Sequence, residues 1–171
     1  MMKKLRNNAG FSLAEMLLAM LILLLATGIV AGGIPAAANA YYKAVDGANA
    51  QILLSTTKTC LRDELALASE IKVSDDQKTV SYTGADGRTY EIYNTNNTEG
   101  VQGIMVKDTS VNGTEHFLVS SAAATPSLHA VYDKISYDDD KGIVTVFGLK
   151  VMRKDVTIIS LEEVCIQSIK K

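Results

Sequence analysis

The chain has 171 residues, enough for one globular domain of modest core plus an appendage. From residue 39 onward 14 Lys and Arg stand against 18 Asp and Glu, a net of −4, so no basic stripe supports nucleic-acid binding. Two cysteines, Cys60 and Cys165, fit no zinc-ligand spacing, and no internal repeat or low-complexity tract stands out.

Residues 1–10 carry Lys3, Lys4 and Arg6 and no acid. Residues 16–42 carry no charge, and within 16–34 Thr27 is the one clearly polar side chain. Nineteen residues at about 1.5 Å rise each match the roughly 30 Å hydrocarbon core of a bilayer. In lipid the backbone must bond internally, so a helix is expected there. The basic cluster before the run and Lys43 after it put residues 1–10 in the cytoplasm and the rest outside.

The run admits three readings. One is a permanent signal anchor. Another is a secretory signal peptide, supported by the breakers Gly32, Gly33 and Pro35 and by an A-x-A cleavage site at Ala38-Asn39-Ala40, against a run longer than such signals use. The third turns on Glu15. A carboxylate at the edge of an apolar helix is costly, has no use in a signal peptide, and calls for a partner. A carboxylate snorkelling to the interface is the plainer alternative.

The residues around Glu15 favour the third reading. Lys3-Lys4-Leu5-Arg6-Asn7-Asn8-Ala9-Gly10-Phe11-Ser12-Leu13-Ala14-Glu15 resembles the signal of type IV prepilins and type II secretion pseudopilins: a basic leader, a Gly, an aromatic, Ser/Thr-Leu, a Glu and an apolar run. The resemblance covers about 30 residues by order and spacing. It implies cleavage by prepilin peptidase between Gly10 and Phe11, N-methylation of Phe11, and pairing of Glu15 with the terminal amine of a neighbouring subunit. It also implies the pilus assembly machinery, other pilin subunits and the cytoplasmic membrane as partners, with a filament on the cell surface or in the periplasm. Many pilins place a helix-breaking Pro about three residues earlier than Pro35. Here Gly32-Gly33 and Pro35 suggest a kink, a locally melted turn or a helix end.

The helical pattern continues over 36–71. Tyr41, Val45, Ala48, Ile52, Thr56, Cys60, Leu67 and Ile71 form one broad stripe, spoiled by Asp63. Leu54, Leu61, Leu65 and Ala68 gather nearly opposite. A helix apolar on two sides needs two partners, its own sheet and neighbouring subunits; a single wide face under one domain is the alternative.

From residue 72 the period becomes that of strands. Segments 79–83 and 88–94 flank Gly84-Ala85-Asp86-Gly87, 101–107 and 115–120 flank Asn112-Gly113, and 128–137 and 142–151 flank Asp138-Asp139-Asp140-Lys141. Segment 156–169 reads as a last strand, with a break possible near Glu162-Glu163. The expected fold is α+β, a long N-terminal helix packed on an antiparallel β-sheet. It divides into a leader (1–10), an assembly helix (11–35), a soluble half-helix (36–71) and a sheet domain (72–171). The seven tyrosines are expected to pack the helix–sheet layer.

No chemistry-bearing constellation emerges. Three consecutive acids at 138–140 suit a solvated turn better than a calcium loop, which alternates its ligands. His116 and His129 stand alone, and no nucleophile, phosphate-loop or zinc-protease motif occurs. No catalytic residue, metal or cofactor is expected. Cys60 and Cys165 could close a loop of over 100 residues by a disulfide if both are extracytoplasmic. The reading is therefore a non-enzymatic minor pilin or pseudopilin. Its rivals are a binding module secreted after Ala40 and a membrane-tethered enzyme.

Overall fold

The computed structural model describes residues 12–96, 102–110, 113–119 and 128–169. Helix α1 spans Leu13–Ala66. Among the described residues nine strands follow: β1 Ser69–Val73, β2 Thr79–Thr83, β3 Thr89–Asn96, β4 Gln102–Asp108, β5 Glu115–Phe117, β6 Leu128–Val131, β7 Lys134–Asp138, β8 Ile143–Arg153 and β9 Val156–Gln167. The chain divides into two compact units at residues 44 and 45.

In the first unit, α1 is apolar on every side. Met16, Leu21, Leu24, Ile29 and Ile34 are all more than half exposed, and none of the described residues there is buried. A helix greasy all round that covers nothing of its own suits a lipid or protein surround, and this stretch is apolar and long enough to cross a membrane. The helix does not end at Gly32-Gly33 or melt at Pro35; it runs through both. Pro35 removes one backbone donor, while the remaining i to i−4 bonds can hold the turns on either side. Thr27 folds its hydroxyl back onto the carbonyls of Leu23 and Leu24, at 3.0 Å each, so its one polar group needs no outside partner.

In the second unit, α1 buries Ala50, Leu53, Leu54, Thr57, Leu61 and Leu65. These pack with Val80, Tyr82, Ile92 and Val106 of one sheet and with Ile135, Val144, Val146, Leu149 and Ile166 of another in a single core. Thr57 is buried because its hydroxyl donates to the Leu53 carbonyl at 2.7 Å. The stripe of Leu54, Leu61, Leu65 and Ala68 thus faces the sheets. Ile52, at 63 % exposure, lies uncovered on the other side, and Leu67 just past the helix end is 46 % exposed, which excludes one wide apolar face under a single domain.

The helix stops short of the expected Ile71, which is buried on β1 instead. The cause is the far end of the chain. The Ile169 amide donates to the Ala66 carbonyl at 2.8 Å, and the Ser168 hydroxyl donates to the Ala68 carbonyl at 2.7 Å. Helix-end carbonyls need such partners, and no local Gly or Pro announces the stop.

Strands β1 to β5 form an antiparallel meander in sequence order. In the second sheet β8 pairs along its whole length with β9, and β6 and β7 share its other edge. The single strand expected over 128–137 is therefore two, parted at Tyr132-Asp133. There the Asp133 amide donates to the Phe147 carbonyl at 2.9 Å, and its carboxylate pairs with Lys150 at 2.6 Å. Gly148 lies opposite with φ 64°, a conformation that favours glycine. Strand β9 runs through Glu162-Glu163 without a break.

Tyr132 joins the two sheets. Its hydroxyl donates to the Lys78 carbonyl at 2.7 Å, and its carbonyl accepts from the Asn94 side-chain amide at 2.6 Å. Asp46 on α1 takes both terminal nitrogens of Arg153 at the end of β8.

Candidate functional site

The chemistry singled out by sequence sits where α1 begins. Gly10 and Phe11 lie outside the described residues; Ser12 and Glu15 lie within them. Ser12 is the N-cap. Its hydroxyl accepts the Glu15 amide at 3.2 Å, and Glu15 Oε2 accepts the Ser12 amide at 2.9 Å. The Ser12 carbonyl takes the first helical bond, from the Met16 amide at 3.2 Å. This is a reciprocal capping box, with two of the four orphan amides of a helix start satisfied by two side chains.

The box adds a contact to those expected of Glu15. Glu15 has a local partner before any second subunit is considered. The signal for the box stands in the sequence as S-x-x-E ahead of an apolar run. The arrangement also has a chemical consequence. One carboxylate oxygen is committed to the Ser12 amide, which fixes the side chain, while Oε1 has no partner among the described residues. All atoms of the box belong to residues after Phe11, so a cut between Gly10 and Phe11 leaves them in place. The carboxylate also lies in the first helical turn, where the helix dipole favours an anion.

The other nominated residues do not converge. Cys60, on α1, and Cys165, on β9, are both free thiols, so the bridge that the sequence permits is not made. The alternation of β9 explains this. Val164 and Ile166 point into the core shared with the helix, so Cys165 between them points to the opposite face. Its thiol donates to Glu163 Oε1 at 3.2 Å, and that carboxylate raises its pKa. Burial, then the charges of Asp63 and Glu64, raise that of Cys60. Both effects disfavour the reactive thiolate.

Asp138 turns on itself, accepting the Lys141 amide at 3.2 Å and its ammonium at 2.9 Å, and these bonds lower its pKa. Among the described residues no group of three metal-ligating side chains is brought together. His116 on β5 is exposed; His129 on β6 is half-buried, and burial lowers its pKa. Of the tyrosines, Tyr82 and Tyr132 are buried as expected, and burial raises the pKa of each. Tyr41 and Tyr42 are not packed: they are 67 % and 65 % exposed.

Residues 5–31 match the family model described as the prokaryotic N-terminal methylation motif. Neither the curated proteins nor the solved structures yield a match.

Proposed function

On the premise that residues 5–31 are a type IV pilin and pseudopilin signal, we propose that the chain is a non-catalytic minor pilin or pseudopilin, assembled into a membrane-rooted filament through its N-terminal helix. Prepilin peptidase cuts between Gly10 and Phe11, and the new amine at Phe11 is methylated. The N-terminus faces the cytoplasm and the sheet domain lies outside.

The observation that carries this reading is Glu15, held by Ser12 through one oxygen with the other left open in the first turn of an apolar helix. A neighbouring subunit's terminal amine is the partner that fits this oxygen. An unpaired carboxylate in an apolar bundle is costly and a paired one tolerable, so the pair selects axial register more than it adds net stability. The uncovered side of α1, with Ile52, and Leu67 just past the helix end support a second contact between neighbours.

Mature N-terminal mass spectrometry after co-expression with a prepilin peptidase tests the processing. A chain starting at methylated Phe11 is expected; a chain starting at Tyr41 would mean a secreted module and end the proposal. For assembly, Glu15→Ala is expected to insert in the membrane as wild type does but to be depleted from sheared filaments about tenfold or more, one lost ion-pair partner costing roughly 3–5 kcal/mol in a dry site. Incorporation equal to wild type would remove the role of Glu15.

A further inference from the structure

We propose that Tyr41 and Tyr42 are a lipid-interface anchor that sets how deep the helix sits, at headgroup level on the side of the bilayer opposite Glu15. The inference rests on the reading that residues 16–34 cross the membrane.

It begins from the exposure of the two rings, which a helix–sheet packing role does not explain. The rings touch each other edge to face, centroids 6.0 Å apart, and make no hydrogen bond among the described residues. Neighbours on a helix point about 100° apart, so the two rings cover a wide arc of its girth. An amphipathic ring with an apolar body and a polar tip favours the membrane–water boundary, where Tyr and Trp are enriched.

The distance fits. Glu15 and Tyr41 lie 26 residues apart in α1, about 39 Å of helix. At the usual tilt of about 20° this spans about 37 Å along the bilayer normal. A bilayer is roughly 40–45 Å thick with its headgroups. One end of the segment therefore reaches each interfacial layer, the carboxylate on one side and the phenols on the other. The residues between Pro35 and Tyr41, Ala36-Ala37-Ala38-Asn39-Ala40, are small and, apart from the polar Asn39, only weakly apolar beside the Leu-rich run before them, as a stretch leaving the hydrocarbon should be. Lys43, the first charge after the uncharged run, follows the rings at once and can extend to lipid phosphates. A subunit so anchored has a fixed depth, and drawing it into a filament requires stripping two aromatic rings from the interface.

The chain has no Trp, so a single reporter is unambiguous. Full-length Tyr42→Trp and, separately, Leu25→Trp are reconstituted at high lipid-to-protein ratio in phosphatidylcholine–phosphatidylglycerol vesicles. The lipids are brominated either near the glycerol backbone or near the chain ends. Tyr42→Trp is expected to be quenched about twofold or more better by the shallow bromines, as an interfacial ring should be, and Leu25→Trp better by the deep ones. Quenching of Leu25→Trp alone, with water-like emission from Tyr42→Trp, overturns the anchor while leaving the span. Blue-shifted but unquenched emission from Tyr42→Trp means a protein contact and also overturns it. If neither reporter is quenched, the span fails and the anchor with it. None of these outcomes bears on cleavage at Phe11, which is read separately by mass spectrometry.

Discussion

Replacing Gly148 tests the reason that the strand over 128–137 divides in two. Gly148 has φ 64°, and an added Cβ would lie well inside contact distance of the Asp133 carboxylate. In Gly148→Ala the left-handed backbone costs about 1–2 kcal/mol. Asp133 must also move, giving up its bond to Lys150, a pair largely at the surface and worth about 0.2–1 kcal/mol. With residual crowding, the total should be about 2–3 kcal/mol, a typical penalty for a named backbone and steric fault. Gly87→Ala is the control: φ is 80° there but the space is open, so only the backbone part, about 1–2 kcal/mol, should appear. Urea unfolding of the detergent-solubilised chain, followed by circular dichroism, measures each variant. The informative term comes from a double-mutant cycle with Asp133→Ala. If the carboxylate occupies the space, the double variant should be more stable than the two single losses added together predict. Strict additivity would refute the steric argument, and a Gly148→Ala loss no greater than that of Gly87→Ala would refute it independently.

Two further outcomes separate the faces of α1 and the titration of its domain. Leu61→Ala should lower unfolding stability by about 2–5 kcal/mol, as a fully buried leucine does. Ile52→Ser, on the uncovered side, should change it by less than about 0.5 kcal/mol yet reduce recovery of the subunit from sheared filaments. Equal effects on stability would show that both sides are core. His129 is predicted to give a pH slope. Burial holds its folded pKa below the ordinary 6.5, so on acidification the unfolded chain takes up the proton first. Stability should therefore fall as pH drops below about 6.5, before the carboxylates titrate. His129→Gln should flatten unfolding midpoints over that window, and an unchanged slope would reject the assignment.

The N-terminal third was legible because its information is local. Hydrophobic run length, the basic leader and the spacing of Gly10, Phe11, Ser12 and Glu15 are one-dimensional patterns that need no tertiary contact to be recognised. Even the capping box lay within four residues. The alternating strands were legible for the same reason, since burial on one face of a sheet imposes a period of two.

Tertiary structure decided what depends on residues far apart in the chain. Helix α1 ends at Ala66 where the Ile169 amide returns to its last carbonyl and the Ser168 hydroxyl takes that of Ala68 just beyond, and no Gly or Pro near 66 encodes that. Strand β7 separates from β6 because Asp133 needs the room beside Gly148. Cys60 and Cys165 are left unbridged because the pleat of β9 turns one thiol away from the core. The sequence by itself determined that this chain has a membrane-length apolar helix, carrying an N-terminal methylation motif, ahead of a sheet domain. Which side of that helix is covered, and which is left exposed, was settled only when distant side chains competed for the same volume.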